Sequence, residues 1–160
     1  MVSTSLWIVI LALALIPPAM AAGSSSTSRP PERPRAQAPQ LSDYDLGVKA
    51  VQAGDYQRAV GSLQKVVQAD PRNADAWNYI GFSQRNLQHF DDSLAAYQKA
   101  LAINPDHRGA NEYLGELYLK TGDLEKARDR LSKLQSLCPG GCSEYDDLKK
   151  AVGAYQSARK

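Results

Sequence analysis

Pro71, Pro105 and Pro139 are spaced 34 residues apart, and Gly47, Gly81 and Gly115 keep the same interval. Each of these glycines follows a branched aliphatic residue: Leu46, Ile80 and Leu114. Other columns agree at this period. Ala59, Ser93 and Ala127 are small; Leu63, Tyr97 and Leu131 are large; Val66, Ala100 and Leu134 are apolar. A fixed period of this length marks one supersecondary unit used repeatedly, each copy too small to bury its own apolar face. Stacking of the copies is therefore obligatory.

Each unit reads as two helices. In the first unit, helix A is expected over about 42–53 and helix B over about 56–68. Gly54-Asp55 supplies a helix C-terminus followed by a capping residue for the next helix. Gly122-Asp123 repeats that arrangement, with Gln88-His89 standing at the equivalent place in the middle unit. The glycine and small-residue columns let the two helices approach closely, and the large column fills the remaining space. Each proline stops helix B at the residue before it.

These columns resemble the tetratricopeptide repeat (TPR), whose pattern is W-x₂-L-G-x₂-Y, then A-x₃-F, then P. The middle unit fits best, with Trp77, Ile80-Gly81, Ser93, Tyr97 and Pro105. The third has Leu114-Gly115-x₂-Tyr118, Ala127, Leu131 and Pro139, with Asn111 in the Trp column. The first has Leu46-Gly47, Ala59, Leu63 and Pro71, with Asp43 in the Trp column and Ala50 in the Tyr column. The resemblance implies an all-α fold over residues 41–160: a helical-hairpin solenoid of three repeats at about 40–73, 74–107 and 108–141. A capping helix at about 142–158 is expected to close it, since Tyr145, Leu148, Val152 and Tyr155 form one helical stripe. Glu144, Asp147, Lys150 and Ser157 are expected on its solvated face.

The N-terminus has a different composition. Leu6 to Ile16 is an uninterrupted apolar run of eleven residues, followed by Pro17-Pro18 and the small-x-small triplet Ala19-Met20-Ala21. A membrane-spanning helix needs about 20 apolar residues. Residues 1–21 are therefore expected to be a signal peptide cleaved after Ala21 or Ala22, although MVSTS carries no basic side chain. An uncleaved anchor running through Ala22 is the alternative. Residues 22–40 hold Pro30, Pro31, Pro34 and Pro39 and no large apolar side chain, the composition of a disordered linker. Arg29, Arg33 and Arg35 against Glu32 carry the chain's whole net charge of +2. The repeat region is thus balanced, and no nucleic-acid partner is expected. With the leader removed, no integral membrane span is expected either, and the protein reads as a periplasmic or secreted one of the exported bacterial type.

Chemistry is sparse. His89 and His107 are expected as exposed turn residues without metal-ligand spacing. No P-loop, nucleophile elbow or haem-attachment motif occurs, so neither an enzyme nor a cofactor is expected. Asp91-Asp92 and Asp146-Asp147 fall in first turns of helices, where carboxylates favour the dipole. Cys138 and Cys142 bracket Pro139-Gly140-Gly141 between the third unit and the cap. In an exported protein two lone cysteines four apart should be oxidised together, with Cα atoms about 6 Å apart. A redox-active dithiol or a soft-metal site on the same pair are the alternatives, giving a thiol-redox or metal-handling accessory as the second functional reading.

The TPR resemblance implies a scaffold or adaptor that mediates protein–protein interaction, with helix A of each unit lining a concave groove for a partner's protein or peptide segment. Carried onto this chain, the groove stripe is Tyr44, Val48 and Val51, then Asn78, Phe82 and Arg85, then Glu112, Glu116 and Leu119. Val48, Val51 and Leu119 could equally pack neighbouring units together. Phe82 beside Arg85 offers an anchor, and Glu112 with Glu116 an acidic end, suited to a segment carrying a large apolar side chain and a Lys or Arg. The Lys/Asn/Arg clamp by which some chaperone-binding relatives hold a C-terminal carboxylate is absent: Tyr44, Val48, Tyr79, Gly109 and Tyr113 stand at those places.

Overall fold

A computed structural model describes residues 41–159. The expected leader, 1–21, and linker, 22–40, lie outside the described residues. Seven helices and no strand occur among the described residues: α1 (Asp43–Gln52), α2 (Tyr56–Ala69), α3 (Ala74–Asn86), α4 (Phe90–Ile103), α5 (Arg108–Thr121), α6 (Leu124–Leu137) and α7 (Ser143–Ser157). None of these helices is long and apolar enough to cross a membrane. The fold is an all-α solenoid in which α1/α2, α3/α4 and α5/α6 are the paired helices and α7 follows.

Local signals explain the boundaries. Ser42 and Asp45 form a reciprocal capping box at the start of α1: Ser42 Oγ accepts from the Asp45 N–H at 3.1 Å, and the Asp45 carboxylate accepts from the Ser42 N–H at 3.2 Å. Asp55, Asn73 and Asp123 cap α2, α3 and α6 in the simpler one-way form. Gly54 and Gly122 end their helices at φ 73° and 91°. Gln88 takes the same left-handed conformation, φ 65°, at the middle turn. That costs a non-glycine residue about 1–2 kcal/mol. Helices α2, α4 and α6 each end two residues before a repeat proline.

Two of the three glycine notches are filled as the period predicts. A Cβ on Gly47 would lie 2.5 Å from Leu63 Cγ, and one on Gly81 would lie 2.6 Å from the Tyr97 ring. Leu63 and Tyr97 are fully buried. Burying side chains of this size contributes about 1.5–3 kcal/mol each. The third notch departs from the pattern. A Cβ on Gly115 would meet Leu148 Cδ2 at 2.5 Å, so α7, and not Leu131 of α6, is wedged there. Leu131 is only half-buried, at the edge of the cluster built by Leu119, Ala127, Leu134, Leu148 and Val152. At this one notch the third unit therefore has a side chain of the cap where the earlier units have one of their own second helix.

The Trp column keeps its bond through a change of residue. Trp77 Nε1 donates to the Pro71 carbonyl at 3.0 Å, and Asn111 Nδ2 donates to the Pro105 carbonyl at 3.2 Å. Both ties join a helix A to the proline turn that precedes it. Asn111 also donates to the His107 carbonyl and accepts from Arg130, which completes its hydrogen bonding although it is fully buried. His107 corrects an expectation. Its side chain is only 12% exposed; Nδ1 accepts from the Ala110 N–H at 3.1 Å as the cap of α5, and Nε2 faces Asp75 Oδ1 at 3.0 Å. His89 is exposed, as expected.

Candidate functional site

The nine stripe residues stand on α1, α3 and α5. Arg85 on α3 and Glu116 on α5 are joined in an ion pair that crosses between units, with side chains 7% and 29% exposed. The Arg85 guanidinium lies 5.4 Å from the centroids of both Phe82 and Tyr113. Phe82 packs at 5.0 Å from the Tyr113 ring and 6.0 Å from the Tyr56 ring, the latter edge-on. A half-buried aromatic is thus held among two tyrosines and under a cation already paired with a carboxylate.

Two clefts flank this cluster. One, of about 580 Å³, takes Arg85, Glu116 and Leu119 from the stripe and adds Lys120, Ala151 and Tyr155. The other, of about 450 Å³, takes Tyr44, Asn78 and Glu112 and adds Asp75, Glu144 and Asp147, among others. The cap contributes a wall to both. Glu144 and Asp147, expected on the solvated face of the cap, line the second cleft; Asp147 is exposed as expected, while Glu144 is half-buried. Glu144 is also held by Arg108, Nε to Oε1 3.5 Å. Val48 and Val51 line neither cleft; Val51 packs on the first apolar cluster, the second of the two possibilities that the sequence allowed for it, whereas Leu119 both belongs to the last cluster and lines the first cleft.

The expected acidic end of the groove is therefore built differently. Glu116 is taken by Arg85, while Glu112 is only 8% exposed. Burial, reinforced by Glu116, Asp147 and Glu144 and opposed by Arg85, pushes the Glu112 carboxyl from 4.5 up to about 7. Across the same cleft, burial and then Asp75 push the Tyr44 hydroxyl up to about 12. Tyr79 stands edge-on to Tyr44 at 6.3 Å. Tyr79, Tyr113, Asp75, Glu144 and Asp147 are among the lining residues that the stripe alone missed; Tyr79 and Tyr113 stand at places of the carboxylate clamp, which was their signal, Asp75 adjoins the stripe on α3, and the two cap residues had none.

Near the turn into α7, the Cys138 and Cys142 sulfurs lie at disulfide distance with Cα atoms 5.8 Å apart. Gly141 between them has φ 89°, which a glycine adopts without strain.

Two tetratricopeptide-repeat family models match the chain, over residues 44–81 and 86–152. Tetratricopeptide repeat protein 37 of Xenopus laevis is 32% identical over 115 residues, covering 69% of this chain but 7% of its own length. The chain thus corresponds to a small part of that relative. Among solved structures, the first TPR of Spaghetti (RPAP3), bound to the HSP90 peptide SRMEEVD, superimposes with a TM-score of 0.63 at 22% identity, covering 71% of this chain and 90% of its own. The Yersinia enterocolitica type III secretion chaperone SycD, in complex with a peptide of the translocator YopD, gives 0.64 at 17% identity, covering 74% and 92%.

Proposed function

Because this chain is built of tetratricopeptide repeats, we propose that it is a non-catalytic adaptor that binds a segment of a partner protein on the face formed by α1, α3 and α5. The observation that carries this reading is the Phe82 cluster: an aromatic anchor, braced by Tyr113 and Arg85, set between two clefts that side chains of a bound segment could enter. Peptides bound to two structurally similar domains lend support to a peptide as ligand. The chemistry of the ligand should differ from an acidic tail such as SRMEEVD, because Arg85 is already neutralised by Glu116 and carboxylates dominate the second cleft. We further propose export, on the apolar run at 6–16 and Ala19-Met20-Ala21, and a structural Cys138–Cys142 disulfide that fixes the turn into the cap.

Display of a random peptide library against the purified chain tests the adaptor reading. Enriched segments should crosslink to α3 and α5 when a photoreactive side chain replaces a residue at the rim of either cleft. Enrichment of no segment, or crosslinks confined to α2, α4 and α6, would reject it. Intact-mass measurement of the exported protein should show a start at Ala22 or Gly23 and no free thiol. A retained Met1 would contradict the export proposal, and two free thiols the disulfide.

A further inference from the structure

The second cleft has a chemistry that sets it apart from the rest of the surface. Asn78 on its floor is 5% exposed, and its Oδ1 is buried without a hydrogen-bond partner. A buried acceptor left unpaired costs about 1–3 kcal/mol, so such groups are ordinarily satisfied by something. Around it stand four carboxylates from three helices: Asp75 on α3, Glu112 on α5, and Glu144 and Asp147 on α7. Asp75 is met by His107 and Glu144 by Arg108, while Glu112 and Asp147 have no cationic partner among the described residues. Tyr44, Tyr79 and Tyr113 complete the wall, and aromatic rings beside carboxylates favour a cation over a neutral guest. The volume, about 450 Å³, lies within the range of ordinary ligand sites.

We propose that this cleft is a receptor site for a basic side chain, the ammonium of a Lys or the guanidinium of an Arg carried by the bound segment, with Asn78 Oδ1, Glu112 and Asp147 accepting its N–H donors. The proposal rests on the reading of this face as the partner-binding one and adds the charge and position of one recognised residue. A bound cation would supply Glu112 with the counter-charge that it does not receive from the protein's own side chains. The charged and titratable groups around Glu112 are Tyr44 from α1, Asp75, Tyr79 and Arg85 from α3, His107 at the start of α5, Tyr113 and Glu116 from its own helix, and Glu144 and Asp147 from α7. Of the two that can carry positive charge, Arg85 is engaged by Glu116 and His107 by Asp75.

Titration of the isotopically labelled chain with n-butylammonium and with n-propylguanidinium, at constant ionic strength and pH 8, tests the site. At least one should produce a saturable shift of the Asn78 side-chain amide and lower the apparent pKa of Glu112; the tighter of the two identifies Lys or Arg as the preferred guest. The Glu112→Gln/Asp147→Asn variant should weaken that binding by at least about tenfold. Equal shifts with n-butanol, or saturation unchanged in the double variant, would overturn the proposal. Segments selected by display give an independent arm. If they bind this face without a Lys or Arg at a fixed position, the cation site fails and the adaptor reading stands. If the cations saturate the site but no segment binds, the adaptor reading fails and the site stands.

Discussion

Arg85 of the second repeat reaches across to Glu116 of the third, and the pair ties α3 to α5 in the centre of the face that the sequence marks as the groove. Arg85 is the more deeply buried partner, with 7% of its side chain exposed. Removing Glu116 strands a buried guanidinium, whereas removing both charges does not. Glu116→Gln should therefore destabilise the fold by about 2–3 kcal/mol, and Arg85→Met/Glu116→Leu by clearly less. Urea denaturation of the three proteins measures this; equal losses would mean that the pair contributes no more than its packing.

The notch at Gly115 gives a second test. Gly115→Ala gains helix propensity of about 1 kcal/mol but drives a methyl into Leu148. The expected net result is a loss of about 1–3 kcal/mol. In a Leu148→Ala background the same substitution should become neutral or stabilising, whereas a Leu131→Ala background should leave it harmful. Melting temperatures of the single and double variants decide which side chain occupies the notch.

The carboxyl of Glu112 makes stability depend on pH in an unusual direction. Its folded pKa is raised, to about 7 from 4.5, so the native state holds a proton that the unfolded chain has released. Stability is therefore undiminished below about pH 4.5 and falls as pH rises through 7. Glu112→Gln should leave stability unchanged at pH 4 and raise it by about 1–2 kcal/mol at pH 8, part of the penalty being relieved by solvent at the mouth of the cleft. Chemical denaturation at the two values checks the difference, and a variant equally stable relative to its parent at both would show that Glu112 titrates normally.

Much of this architecture was readable from the period alone. Helix pairs, their caps and the Gly47–Leu63 and Gly81–Tyr97 notches follow from residues spaced within one unit, where local chemistry and neighbour packing agree. The bond made by Asn111 shows why a mismatch in the Trp column did not harm the pattern: a different donor reaches the same carbonyl. The period says nothing after Pro139; the cap and its stripe of Tyr145, Leu148, Val152 and Tyr155 were legible there, but their place against the repeats was not. A helix stripe fixes which residues of α7 are buried but not which neighbour receives them, so Leu148 in the third notch and Asp147 in the second cleft could not be foreseen. Burial decided the rest. Val51 has the right spacing for a groove but packs on the first apolar cluster and lines neither cleft, and spacing cannot distinguish an open face from a packed one.

The claim that this face binds a partner segment is tested most directly at Phe82. Affinity for a display-selected segment should be measured for Phe82→Ala by calorimetry, with the melting temperature of the same preparation recorded beside it. Phe82 is half-buried and braced by Tyr56 and Tyr113, so its loss should lower the melting temperature by only a few degrees. Binding should weaken by about 2 kcal/mol, roughly thirtyfold, as for an interface anchor. Unchanged affinity in a folded Phe82→Ala protein, or a melting curve that collapses as for a core residue, would contradict the assignment of this face as the binding surface.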